Sequence, residues 1–362
     1  MFFSHALTGG ACPAGCFRRL SRPWLRTEPG TGATPLASGR AVAPGLALLA
    51  LVCLSACGRY GEFTLPPQPG GGHEPHWVFE QRPAPVLPRG AFRDVLNPSV
   101  VRFPGGYLNL YSAFDGRAWH TRLADSPDGV AWHDRGAAIS PNAQTWEGNY
   151  IAANGSLLLD GGQFWYWYQA GPRGAPRIGL ARSRDARAWR KEPAPVLAPG
   201  PWGSWDECGV ADPYAIRLGA YFYLYYLGQD RARPTRQRIG VARSADGVHW
   251  EKLRSNPVLE LDGERGLGEP AVWNSHGFYW MLYTARDFDE NRRLAVARST
   301  DGVHWRKLPQ TFAGSSAWNS KVLCDATVLV EGDEIRVWFG GGDAASPDEN
   351  LDGQIGMGRL VN

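Results

Sequence analysis

SPDGVAW (126–132), SRDARAW (183–189), SADGVHW (244–250) and STDGVHW (299–305) are four copies of one stretch, at intervals of 57, 61 and 55 residues. In each, the Asp is suited to accept backbone N–H bonds in a tight turn. The Gly allows a positive φ, and the Trp offers a large ring to bury against a neighbour. Strand-like runs lead into the last three copies: IGLAR (178–182), IGVAR (239–243) and LAVAR (294–298). A fifth run, IGMGR (355–359), stands at the C-terminus without its turn and Trp. Repetition at such a period marks an array of similar supersecondary units.

A second repeated element precedes the first. Asn97-Pro98, Asn154-Gly155, Asp212-Pro213, Glu269-Pro270 and Asp325-Ala326 each open an apolar run that ends in a turn. An aromatic run follows each turn: YLNLYSA (107–113), FWYWYQA (164–170), YFYLYYLG (221–228), FYWMLYTA (278–285) and IRVWFGG (335–341). Each unit therefore reads as four short antiparallel strands, and five units predict an all-β, five-bladed β-propeller. The last unit lacks its outer strand. WVFEQRPAPVL (77–87) resembles WRKEPAPVL (189–197), so residues 77–88 are expected to complete blade five and close the ring, hiding the sheet edges. The propeller domain is then 77–362.

Composition agrees. Sixteen Trp, 13 Tyr and 14 Phe with 45 Gly and 28 Pro exclude a coiled coil, a collagen-like fibre and a disordered chain. The net charge of +3 is a property of the first 57 residues, which hold five Arg against one Glu. The remainder is close to neutral, at about −1, so no nucleic-acid surface is implied. Within 1–57, Arg40 precedes the short apolar run APGLALLALVCLSA (43–56), a charged region followed by a signal-type core too short to span a bilayer. It ends in Leu54-Ser55-Ala56-Cys57, which resembles a bacterial lipoprotein box with Cys57 as the lipidated residue. This predicts a lipid anchor at a bacterial envelope, with the outer membrane as the expected site. Residues 58–76 are rich in Pro and Gly and suit a tether. Cys208 and Cys324 remain for the folded part and read as buried thiols rather than a disulfide, and no Cys/His metal spacing is present.

In a propeller the first residues of the inner strands crowd around one mouth. The five openers, Asn97, Asn154, Asp212, Glu269 and Asp325, bring three carboxyls together from different blades. Ionisable groups gathered beside a channel are costly unless they serve a purpose. Trp146, Trp205 and Trp318 precede their inner strands by 8, 7 and 7 residues, on loops at the same mouth, where flat rings could stack on sugar.

Asn97-Pro98, the stretch Trp205 to Pro213, Gly268-Glu269-Pro270 and the repeated turns together resemble the five-bladed glycoside hydrolases, the superfamily of families 43, 32, 62, 68 and 130. The likeness covers 77–362. The turns also resemble the Asp-box of sialidases but lack its spacer between Asp and Gly, which argues against a sialidase. The superfamily resemblance implies cleavage of a glycosidic bond in an oligo- or polysaccharide. By this resemblance Glu269 is the general acid and Asp212 the residue that orients it, its charge holding Glu269 protonated nearer neutral pH.

Asn97 departs from the pattern, because it stands where an Asp base is expected. Asp94 is the candidate base in its place, with Asp206 on a loop or a loss of catalysis as the alternatives. Asn97, Asn154, Trp146, Trp205, Asp206, Trp318 and Asp325 are expected to contact substrate. No cofactor is required; relatives with an axial calcium leave that ion open, although no ligand set here supports one. A monomer is expected. A non-catalytic, glycan-binding or scaffolding propeller with a degenerate site is the competing reading.

Overall fold

The computed structural model describes residues 59–71 and 75–362, and in these the chain is all-β. Four strands make each of four successive antiparallel units. The first holds β3 (Asp94–Phe103), β4 (Gly106–Phe114), β5 (Trp119–Ser126) and β6 (His133–Ile139). The second holds β7 (Ile151–Asp160), β8 (Gln163–Ala170), β9 (Arg177–Ser183) and β10 (Arg190–Lys191). The third holds β11 (Gly209–Leu218), β12 (Tyr221–Gln229), β13 (Gln237–Ser244) and β14 (Glu251–Leu253). The fourth holds β15 (Gly266–Ser275), β16 (Phe278–Arg286), β17 (Arg292–Ser299) and β18 (Arg306–Phe312). A fifth set, β19 (Val322–Glu331), β20 (Glu334–Gly342) and β21 (Gln354–Val361), takes β2 (Val78–Gln81) as its last strand, Val78 opposite Val361. The first strands β3, β7, β11, β15 and β19 touch in that order, and β19 also touches β3.

The period of two along the middle strands explains the aromatic excess. Successive side chains leave a strand on opposite faces. On β8, Tyr166 and Tyr168 pack toward Leu110 and Leu123 of the first unit, while Trp167 packs with Phe222 and Trp250 of the third. Both faces of each unit are therefore buried. At about 25 cal/mol per Å², rings of this size supply much of the apolar driving force.

The repeated turns hold the units together by hydrogen bonds as well. Asp128 accepts from the amides of Val130 and Ala131 at 2.8 and 2.9 Å, and Asp246 accepts from Val248 and His249 at 2.9 and 2.8 Å. Gly129 and Gly247 take φ values of 78° and 74°, so their carbonyls face the neighbouring unit. The Trp167 indole donates to the Gly247 carbonyl at 2.9 Å, Trp338 to Gly129 at 2.7 Å, and the Tyr225 hydroxyl to Gly302 at 2.7 Å. The second of these links the fifth unit to the first.

The segment read as a tether is part of the domain. β1 (Arg59–Gly61) adds a parallel strand to β14, with Tyr60 opposite Lys252. Farther on, the amides of Leu65, Gln68 and Gly70 donate to the carbonyls of Asp301, Thr300 and Gly277 at 2.8, 2.7 and 2.9 Å. Leu65 is buried against Gly302, where its small neighbour makes room for it. The Pro and Gly content misled because it disfavours regular strands, not attachment through backbone bonds. The leader, with Cys57, lies outside the described residues. Leu65→Ala is expected to destabilise the domain by about 2–4 kcal/mol. Chemical denaturation would measure this, and an unattached tether would show no change.

Candidate functional site

The five first strands share one irregularity. The ladder slips at Leu96/Ser99, Ala153/Ser156, Ala211/Tyr214, Gly268/Ala271 and Cys324/Thr327. Within each slip one non-glycine residue adopts positive φ: Asn97 at 49°, Asn154 at 46°, Asp212 at 46°, Glu269 at 52° and Asp325 at 54°. Such a conformation costs roughly 1–2 kcal/mol per residue, and strain repeated five times marks a functional constraint. Its effect is to turn all five side chains into a single cavity of about 130 Å³.

The carboxyls in that cavity interact. Glu269 Oε2 accepts from the Asp325 amide at 3.3 Å, and the side-chain ligand atoms of Glu269, Cys324 and Asp325 all lie within 4.8 Å of one another. Asp325 is buried. It accepts from Asn97 Nδ2 at 2.6 Å and from the Cys324 thiol at 3.0 Å. Burial, and then the Glu269 charge, raise the Asp325 carboxyl well above the usual range. Asp212 is open to the cavity but deep in the fold. Burial and then the Glu269 charge push it up to about 8, against an opposing bond from Asn154 and the charges of Arg292 and Arg286. The two Asp carboxyls flanking Glu269 therefore hold protons more readily than free ones.

Asp94 and Asp206 do not reach the cavity. Asp94 is fully buried and accepts the amides of Asn350, Leu351 and Gly353 at 2.6, 2.9 and 2.9 Å. Three loop amides engage it and it does not line the cavity, which fits a structural carboxylate rather than the base. Asp206 is ion-paired with Lys252 at 2.5 Å and accepts from Ser204 at 3.0 Å. Glu147 repeats this arrangement one unit earlier, bonding Lys191 at 2.7 Å and the Tyr168 hydroxyl at 2.5 Å.

The three loop Trp residues are also packing elements. Trp146 lies on Gly179, Trp205 on Gly228 and Gly240, and Trp318 on Gly341 and Gly356. Trp318 stacks on Phe339 at 13° and donates to the Pro83 carbonyl at 3.1 Å. None of the three lines the cavity.

Other residues do. Trp119 and Tyr150 supply aromatic surface, Gln169, Gln229 and Gln237 supply amides, and Arg286 and Arg292 supply cations. Gln229 and Arg286 end their middle strands and Gln169 stands one residue before the end of its own, while Trp119, Gln237 and Arg292 begin their third strands. Strand ends nearest the openers were thus the available signal. Two carboxyls and a thiol are a poor set for calcium, which takes six to eight oxygens, and the acceptors of Asp325 are already engaged.

The raised Asp212 has a consequence for stability. Its folded pKa of about 8 lies above the roughly 3.9 of an unfolded Asp, so its contribution is fully present below about pH 4 and is lost as pH rises through 8. Asp212→Asn cannot ionise. Its stability relative to the parent should rise between pH 5 and pH 9 by at least about 1.4 kcal/mol, the value of one pKa unit. Thermal melts at the two pH values would check this, and a constant difference would contradict it.

Residues 107–333 match the family described as glycosyl hydrolases family 32 N-terminal domain. An uncharacterised protein of Mycobacterium tuberculosis (strain ATCC 25618 / H37Rv) is 34% identical over 156 residues, 40% of this chain and 52% of that protein. A 1,2-beta-oligomannan phosphorylase of Thermoanaerobacter sp. (strain X514) is 29% identical over 123 residues, covering 31% and 41%. Raffinose invertase of Escherichia coli is 27% identical over 174 residues, covering 45% and 36%. The chain spans about half or less of the length of these relatives. Among solved structures, a family 117 glycoside hydrolase of Zobellia galactanivorans has a TM-score of 0.63 at 16% identity, covering 78% of this chain and 90% of that one. That likeness shows the fold of the β-propeller glycoside hydrolases. With a match over well over half of its length, the chain belongs to the family of glycosyl hydrolases family 32 N-terminal domains.

Proposed function

We propose that the protein is a closed five-bladed propeller enzyme that cleaves a glycosidic bond, with Glu269 delivering the proton to the leaving oxygen. The convergence of Asp212, Glu269 and Asp325 from three units into one polar cavity carries this reading. Catalysis at a sugar needs a protonated carboxyl beside the leaving group, and a positioned acid is worth roughly 10²–10⁴ in rate. Burial and the crowding of carboxyls raise Asp212 and Asp325 on either side of Glu269. Glu269 and Asp325 oxygens within 4.8 Å are closer than the roughly 6.5–9.5 Å that leaves room for an attacking water between two carboxyls. The pair therefore works on one side of the bond. Asn154, Gln169 and Gln229 are placed to bond sugar hydroxyls, and Trp119 and Tyr150 to pack on ring faces. The chain needs no cofactor for this step and works as a monomer, anchored through Cys57 at a bacterial envelope.

A second reading concerns the nucleophile. No carboxyl stands at the first unit's opener, where Asn97 sits, while Arg286 and Arg292 line the cavity. This favours attack by an external anion, inorganic phosphate, whose charge the two guanidiniums would balance.

Glu269→Gln should lower kcat by 10²–10⁴ while changing KM by less than about fivefold. The assay is a panel of aryl fructosides, mannosides, arabinofuranosides and xylosides, with and without 10 mM-scale phosphate. Activity that survives the substitution would remove Glu269 from the acid role. Turnover only with phosphate would select phosphorolysis. Tight glycan binding with no turnover under either condition would select the non-catalytic reading.

A further inference from the structure

The link between β20 and β21 runs over 343–353, whereas its counterparts in the other units are the shorter links 115–118, 171–176, 230–236 and 287–291. Three other units hold it. From the fourth, Arg292 donates to the carbonyls of Ser346 and Pro347 at 3.0 and 2.8 Å, and Arg286 to Pro347 at 3.0 Å. From the first, Asp94 takes the amides of Asn350, Leu351 and Gly353. From the second, Arg173 pairs with Asp348 at 3.2 Å and with Glu349 at 2.6 Å, and the Tyr150 hydroxyl donates to Glu349 at 3.0 Å. The Arg173 guanidinium also lies 4.3 Å from the centre of the Tyr150 ring.

A segment bonded to the first, second and fourth units from its base in the fifth passes over part of the mouth. Pro347, Asp348 and Leu351 accordingly form part of the cavity wall. The volume left, about 130 Å³, is well below the roughly 300–1,000 Å³ of pockets that enclose larger ligands. The space that remains is small for anything larger than one sugar ring.

The anchors differ in strength. The Asp94 and Arg292 anchors are buried. The Arg173 side chain is 49% exposed and that of Glu349 only 16%, so this corner depends on a partly solvated pair. Pairs of that kind contribute roughly 0.2–1 kcal/mol, which makes this the corner that gives way first.

We propose that 343–353 is the specificity element of this site: latched through Arg173 and Glu349, it closes one side of the mouth and confines the reaction to the terminal residue of a glycan. This rests on the glycosidic cleavage reading. Neither Arg173 nor Glu349 lines the cavity, so loss of either should spare the chemistry.

The test compares the parent chain with Arg173→Ala and Glu349→Gln. Substrates are aryl monosaccharides, linear β-1,2-mannan and β-2,6-fructan oligosaccharides, and cyclic oligosaccharides of the same sugars, which have no end. The parent should release monosaccharide alone and leave the cyclic compounds intact. Both variants should show faster hydrogen exchange at the amides of residues 345, 346, 348 and 349 and a ratio of oligomeric to monomeric product raised by up to about fivefold, with aryl-monosaccharide cleavage nearly unchanged. Fivefold is the shift that loss of about 1 kcal/mol of pairing provides. Internal fragments released by the parent would overturn the proposal, as would an unchanged product ratio where exchange is faster. A parent that cleaves nothing overturns the cleavage reading alone. The strap is then decided by binding of the cyclic compounds, expected for the two variants and not for the parent.

Discussion

Everything at the candidate site depends on a backbone constraint that each first strand meets in the same way. A regular strand would send the side chains of residues 97, 154, 212, 269 and 325 into the faces between units, where the packing is apolar. The slip in the ladder and the turn to positive φ rotate each of them out of the sheet and toward a shared centre. The cost, roughly 1–2 kcal/mol at each of five non-glycine residues, has to be offset by the surrounding structure. The offset comes from the aromatic middle strands, whose buried rings hold each unit against both neighbours, and from the indole and phenol bonds to the repeated turns.

That division of labour accounts for what was legible in the sequence. The repeated turns, the aromatic runs and the opener positions are periodic, and the packing demand that makes them periodic acts identically on every unit. The five openers were found for that reason, and all five line the cavity. Position in the repeat carried no such information about Asp94 and Asp206. Both lie close in sequence to openers, yet each is consumed by local partners, three loop amides in one case and Lys252 with Ser204 in the other. The same holds for Trp146, Trp205 and Trp318. They recur near the mouth because the glycines beneath them recur, and the rings are spent on packing.

What the sequence left unread is aperiodic. The amides and cations around the cavity differ from unit to unit, as substrate contacts in an asymmetric site must. The 343–353 link has no counterpart of its length, and β1 with the 62–70 stretch attaches to the third and fourth units through backbone bonds that no side-chain pattern announces. Pro and Gly in that stretch suit a chain lying along a surface as well as one in solvent. Composition alone could not separate the two.

Asn97 gains a different meaning from this geometry. In the sequence it is a missing base. In the structure it is the donor that Asp325 needs, with Nδ2 at 2.6 Å from Oδ1. An Asp at 97 would lose that amide donor and add a fourth carboxyl to a cavity where burial and mutual repulsion already raise Asp212 and Asp325. A further carboxyl there would add to the repulsion among the three already present. The absence of a base at the first unit and the crowding of acids at the other three are therefore one arrangement. On the proposed reading, the nucleophile then comes from solution.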